Sequence, residues 1–340
     1  MSIDLGPYLA AVPREVVERI SGARRVLAVG HENPDADTLG ATLAITAIVE
    51  ACGGRADPVN TDPVPELYGF LAGIERIRPD PDPAANYDLL VISDCGTLDR
   101  VGAVGERHRD LFERLPRVVL DHHASNDDER RPGDWVDPDA AATCEMVTLL
   151  ATRLGVPLDA ANGALATALM AGIVMDTATF AHPNATPRTL VASAALVAAG
   201  APLSDISRRL YRTKPDRQLR LFGRVLERLE ASDDGRIVWS TLLDADLAAT
   251  GSVPSDSEGI IDLLAQAEAA EVAILFKEAP GGTRLSVRTK AGGVDATVLT
   301  GAFGGGGHAR AAGATLAVPP DEARPAVLAQ ASRLAAAVTR

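Results

Sequence analysis

The sequence predicts an α/β protein in two parts. The first is an N-terminal, mainly parallel sheet with helices on both faces, and the second is a smaller C-terminal α/β domain. Three observations predict it. Short β-rich runs alternate with Ala- and Leu-rich helical runs from residue 24 to about residue 200. The strand-like runs are apolar through their centres, as expected of strands covered on both faces. After a charged helical stretch, strands and helices resume and continue to the end of the chain. The expected boundaries are 1–200 for the first domain, 201–230 for a helical connector and 231–340 for the second. A chain of 340 residues is long enough for two domains of ordinary size.

In chain order, strands are expected at 24–30 (RRVLAVG), 87–94 (YDLLVISD) and 117–123 (RVVLDHH). Helices are expected at 37–52, 140–154, 161–175 and 187–199, where Ala and Leu dominate. The connector, from Ser204 to Glu230, is charged and interrupted by Pro215. Its arginines read as a solvated helical face. The second domain then offers a strand at 236–242, a helix near 257–269 and strands at 271–277 and 283–289. A Gly-rich turn at 304–307 and a final helix at 321–338 complete it.

Composition narrows the function. Hydrophobic residues make up 46% and charged residues 23%, which suits a folded chain and not a disordered one. Lys+Arg is 33 against 46 Asp+Glu, a formal charge of -13. A grip on long DNA or RNA is usually basic, so long nucleic acid is not an expected partner. Short phosphorylated ligands remain open if cations mediate. The three cysteines (Cys52, Cys95, Cys144) are far apart and form no C-x-x-C, so they read as small fillers in a reducing compartment. The N-terminus carries no basic segment followed by an apolar run. The longest apolar stretch, Ala164 to Met175, falls short of the roughly 20 residues of a bilayer span. A cytoplasmic protein without membrane contact is expected.

Four clusters could do chemistry. His31, Asp35 and Asp37 follow the first strand; Asp35 could simply cap the next helix, but capping explains one Asp and not the set. Asp94 closes the second strand. Asp121, His122 and His123 close the third. Asp176 ends an apolar run, where a carboxylate is costly unless paired or metal-bound. In a parallel α/β sheet, ligands collect beyond the carboxyl ends of the strands, where three of the clusters fall. His31, Asp35, Asp37, Asp94, His122 and Asp176 supply four carboxylates and two imidazoles. Gathered in one cleft they would repel strongly, and two divalent cations would cancel that charge. Mixed carboxylate and imidazole ligation suits Mn2+ or a similar ion.

In this order the clusters resemble motifs I to IV of the DHH phosphoesterase superfamily. The run from Gly304 through Gly305, Gly306, Gly307 and His308 to Arg310 resembles the GGGH signature of the associated DHHA1 domain. Ser286-Val-Arg288 resembles its Ser-x-Arg strand. Length and both domains are similar to the NrnA type. The resemblance implies a two-metal hydrolase acting on short oligoribonucleotides and linear dinucleotides, on 3′-phosphoadenosine-5′-phosphate (pAp) to give AMP, and on cyclic di-AMP. It implies His31, Asp35 and Asp94 around one cation, and Asp37, Asp94, His122 and Asp176 around the other. His123 would face the scissile phosphate with Asp94 at the reacting centre, and Asp121 would orient the histidines. Arg288, Gly305, Gly306, Gly307, His308 and Arg310 would bind substrate. Relatives are often homodimers, which makes a second copy an expected partner. One departure stands out: the family commonly reads Asp-Thr-Gly-x-Phe in motif IV, and here Ala178 replaces the glycine. Exopolyphosphatase activity, another phosphatase of the superfamily, and a non-catalytic nucleotide-binding regulator are the alternatives.

Overall fold

The computed structural model describes residues 3–95, 98–123 and 131–338. The chain divides into two compact units, Met1–Thr213 and Lys214–Arg340.

Unit one runs α1 (Arg14–Gly22), β1 (Arg25–Val29), α2 (Ala36–Ala51), β2 (Arg55–Val59), β3 (Leu89–Ser93), α3 (Ala103–Arg107), α4 (Arg109–Arg114), β4 (Arg117–Asp121), β5 (Trp135–Val136), α5 (Thr143–Arg153), α6 (Ala164–Asp176), α7 (Pro187–Ala198) and α8 (Leu203–Tyr211). The strands form one five-stranded sheet in the order β2-β1-β3-β4-β5, with every pair parallel. Because side chains alternate across a strand, Val26, Ala28, Val91, Val118 and Leu120 pack with the helices α2, α5 and α6. Leu27, Val29, Leu90, Ile92 and Val119 form a second core with Val104 of α3. Both faces are thus buried, which is why these strands read as unbroken apolar runs.

Helices α2 and α6 are buried on nearly every side and meet through small residues. A methyl group on Gly40 would lie 2.4 Å from the Ala168 carbonyl oxygen. This close approach brings the first turn of α2 against the last turns of α6.

Unit two contains α9 (Asp216–Glu227), β6 (Glu230–Ala231), β7 (Ile237–Leu242), α10 (Asp244–Thr250), α11 (Ile260–Leu264), β8 (Val272–Ala279), β9 (Gly282–Thr289), α12 (Ala296–Gly301), β10 (Gly306–His308), β11 (Ala311–Leu316) and α13 (Pro320–Val338). Its sheet has the order β10-β11-β9-β8-β7-β6 and is mixed, β7 and β8 being parallel. One face packs on α12 and α13 through Ile274, Phe276, Val287 and Val327. The other packs on α9 and α11 through Leu221, Val225, Ile260 and Leu275.

The stretch expected as a connector is two helices that join different cores. Ile206 and Leu210 of α8 belong to the core of unit one. Leu221, Phe222 and Val225 of α9 belong to unit two. The division falls at Thr213/Lys214, just before Pro215. The expected Gly-rich turn at 304–307 is half strand, since Gly306 and Gly307 pair with Gly313 and Ala312.

Candidate metal centre

The order β2-β1-β3 places β1 between its two sequence successors, so the chain leaves β1 on one side and returns on the other. Such a switch point leaves a crevice beyond the carboxyl ends of β1 and β3. His31 follows β1 and Asp94 follows β3 at that crevice. His122 and His123 follow β4, and Asp176 is the last residue of α6.

These groups converge. The potential ligand atoms of His31, Asp35 and Asp94 lie within 4.8 Å of one another, as do those of Asp37, His122 and Asp176, and those of Asp94, His122 and His123. His31 Nε2 is 3.4 Å from Asp94 Oδ2, and His122 Nε2 is 3.5 Å from Asp94 Oδ1 and 3.2 Å from Asp176 Oδ2. Asp94 and His122 each belong to two of these groups, and Asp94 sits in the left-handed region at φ 58°. A non-glycine residue held there stores about 1 kcal/mol or more of strain, a cost that clusters at functional sites.

Each carboxylate is also held from behind. Asp35 does cap α2, its Oδ1 accepting from the Asp37 and Thr38 backbone N–H groups. Capping and clustering with His31 and Asp94 therefore occur in the same side chain. Asp37 is fully buried, and its two oxygens accept the Thr143 and Cys144 N–H groups at 2.7 and 2.9 Å. Those are unpaired donors of the first turn of α5, where the helix dipole favours an anion. Asp94 accepts from the Thr38 hydroxyl at 2.7 Å and the Thr143 hydroxyl at 3.3 Å.

The electrostatics show crowded negative charge. Burial, with the charges of Asp94 and Asp176, pushes the Asp37 carboxyl well above its ordinary value. Burial and Asp94 also raise Asp35. Burial raises Asp176 to about 6, with Asp94 adding to it and His122 opposing. Burial opposes the His122 cation, but contacts with Asp176 and Asp94 outweigh it and push the imidazole up to about 12. Burial likewise opposes the ionised form of Asp94, yet His122 and His31 hold that carboxyl well below the usual range.

The donor set fits divalent cations. His31 Nδ1 lies 2.6 Å from the Glu32 carbonyl oxygen, and His122 Nδ1 lies 3.3 Å from that of Ala140. With an N–H at each Nδ1, each Nε2 faces carboxylates, an arrangement that needs positive charge between them, either the proton that His122 retains, its pKa being raised, or a divalent cation that replaces it. No thiolate belongs to the cluster: Cys144 touches the Asp37 carbonyl, but its thiol is pushed well up by burial. His123 differs from His122. Its Nδ1 donates to Asp121 Oδ1 at 2.8 Å, and its ring is about one-third exposed. His182, six residues after Asp176, is exposed and contacts the Asp176 carbonyl oxygen.

In unit two, Arg288, Ala311 and His308 lie in one row across β9, β11 and β10. Arg288 is paired with Asp262 at 2.9 Å, while His308 and Arg310 are exposed. Two of the glycines have a packing reason. A methyl on Gly305 would meet the Gly313 carbonyl oxygen at 2.2 Å, and one on Gly307 the Ala311 carbonyl oxygen at 2.6 Å. Gly306 faces open space.

Residues 25–173 match the model of the DHH family N-terminal domain, and residues 246–337 match that of the DHHA1 domain. A bifunctional oligoribonuclease and PAP phosphatase NrnA from Thermus thermophilus is 31% identical over 304 residues, covering 89% of this chain and 86% of the relative. The chain belongs to the DHH family. It is also similar to the cyclic-di-AMP phosphodiesterase GdpP of Bacillus subtilis, 27% identical over 86% of this chain and 45% of that protein. The crystal structure of an exopolyphosphatase-related protein from Bacteroides fragilis shares the fold, with a TM-score of 0.85 at 20% identity over 96% of this chain and 98% of that one.

Proposed function

We propose that the chain is a phosphoesterase that hydrolyses short nucleotide substrates with two divalent cations, Mn2+ being the best match to its ligands. Linear dinucleotides, very short RNA, pAp and cyclic di-AMP are the substrates. The observation that carries this reading is the convergence of four carboxylates and two imidazoles at the switch point of the parallel sheet. The names of the relatives from T. thermophilus and B. subtilis support the substrate class.

His31, Asp35 and Asp94 would hold one cation, and Asp37, Asp94, His122 and Asp176 the other. Cations bound there supply an activated water and offset charge on the phosphoryl oxygens. The chain's own groups do the rest. Asp121 fixes the His123 ring through Nδ1, leaving Nε2 to meet the phosphate. Thr38 and Thr143 hold Asp94 in one orientation between the two histidines. His308, Arg310 and the backbone at Gly306 offer exposed donors for a second phosphate or nucleotide. Arg288 would join them by exchanging Asp262 for substrate. The absence of disulfides among the three cysteines fits a cytoplasmic setting.

The test is a product profile on one enzyme stock with Mn2+, offering pAp, the dinucleotide pApA, a longer RNA, cyclic di-AMP and polyphosphate. Turnover of pAp and pApA well above that of the longer RNA and polyphosphate is expected. Turnover confined to polyphosphate, or full turnover after chelation, would overturn the proposal.

A further inference from the structure

Asn60 lies outside the cluster, at the carboxyl end of β2, and is 3% exposed. Both ends of its amide are used. Nδ2 donates to the His31 carbonyl oxygen at 2.9 Å, and Oδ1 accepts from the Asp62 N–H at 3.0 Å. A flipped amide would set oxygen against oxygen and N–H against N–H, so only this orientation works. Asn60 is itself anchored, its N–H donating to the Arg78 carbonyl oxygen at 3.0 Å. Asp62 continues the clamp, its Oδ2 accepting from the Asn33 N–H at 2.6 Å. Asn33 is in the left-handed region at φ 52°. The Glu32 N–H donates to the Arg100 carbonyl oxygen at 2.7 Å. Three successive residues, His31 to Asn33, are therefore pinned by three separate backbone contacts. Neither side-chain bond of Asn60 closes a strand pair. One holds the peptide that carries His31, and the other holds the start of the loop that fixes Asn33.

We propose that Asn60 is a positioning residue for the cation at His31, Asp35 and Asp94: it fixes the His31 peptide, and with it the direction in which Nε2 is presented. This rests on the reading of the cluster as a cation site. Loss of the amide donor leaves a buried carbonyl without a partner. The short loop can relieve that by rotating the His31 peptide, and the imidazole turns with it. The other cation ligands, Asp37, His122 and Asp176, lie on α2, just after β4 and on α6, and Asn60 hydrogen-bonds to none of them among the described residues.

The experiment is a Mn2+ binding isotherm on the full chain, freed of cations, for the unaltered protein, Asn60→Ala and Asn60→Asp. The unfolding midpoint of each is measured without cation. Asn60→Asp keeps an acceptor for the Asp62 N–H but cannot donate to His31, and its added negative charge would by itself favour a cation. In both variants one Mn2+ should weaken by about 10–100-fold, the usual cost of losing a group that orients a metal ligand. The other Mn2+ should keep its affinity within about threefold; the cation-free midpoint should fall somewhat in both variants, because a buried carbonyl loses its partner, so the unequal response of the two ions is the readout. Two undisturbed sites would overturn the proposal. So would equal weakening of both sites, which marks a purely structural role. If the unaltered chain binds no Mn2+, the cation reading itself fails together with this inference.

Discussion

Gly172→Ala should damage both the fold and the centre, although Gly→Ala inside a helix normally stabilises by about 1 kcal/mol. Gly172 lies within α6, and a methyl group there would sit 2.3 Å from Asp37 Oδ1 and 2.5 Å from Cys144 Sγ. Neither neighbour can retreat easily. Asp37 is tied to two N–H groups of α5, and Cys144 belongs to that same helix turn. Overpacking a tight interior costs about 1–3 kcal/mol. Displacing Asp37 from one charged hydrogen bond costs about 1.5–3 kcal/mol more. After subtracting the helix gain, the net loss is about 1.5–5 kcal/mol. Gly223→Ala is the control, because Gly223 lies within α9 with nothing near its missing methyl. It should gain about 0.5–1 kcal/mol. Guanidinium unfolding of the cation-free proteins measures both, and Mn2+ titration follows the displaced carboxylate. If Gly172→Ala matched the control in stability and bound Mn2+ as the unaltered chain does, the packing argument would be refuted.

Ala178→Gly should stabilise the chain by about 1 kcal/mol, the penalty for a side chain in the left-handed region. Ala178, Thr179 and Phe180 all lie there, at φ 46°, 59° and 64°. An unchanged guanidinium midpoint would contradict that. Protons should compete with Mn2+: burial raises Asp176 to about 6, and burial with neighbouring charge raises Asp37 as well. Asp176 ionises as pH rises through that value, so affinity should fall as pH drops from about 8 to about 5.5. A flat calorimetric affinity over that window would count against the reading. The thiols should differ too, because burial raises Cys95 to about 12 and Cys144 well above its ordinary value. A disulfide reagent at neutral pH should therefore modify only half-buried Cys52 in the native state and all three after unfolding. Rapid modification of all three in the folded protein would disprove the burial argument.

Much of the centre was legible because its residues are chemically conspicuous. A His and two Asp beyond one apolar strand, and Asp-His-His beyond another, are hard to explain as turns. The strands were legible because both faces of the first sheet are buried, so 26–29, 89–92 and 118–120 are apolar without interruption. β2 was not, because Arg55-Ala-Asp57-Pro58-Val59 carries two charges and a proline on an edge strand. Missing β2 meant missing Asn60, whose role depends on where that strand ends. The N–H groups that hold Asp37 were equally hidden: they belong to the backbone of Thr143 and Cys144, over a hundred residues away. The glycine run was read for ligand access. Packing against β11 already requires Gly305 and Gly307, since only three-dimensional pairing reveals which carbonyl each would strike.

The most direct measurement is equilibrium Mn2+ binding by the unaltered chain and by Asp94→Asn, read from the spin-resonance signal of free Mn2+. Two ions per chain are expected for the unaltered protein. Replacing the carboxylate proposed to serve both cations should weaken both ions while the protein stays folded. No saturable binding, or an isotherm unchanged by the substitution, would contradict the account.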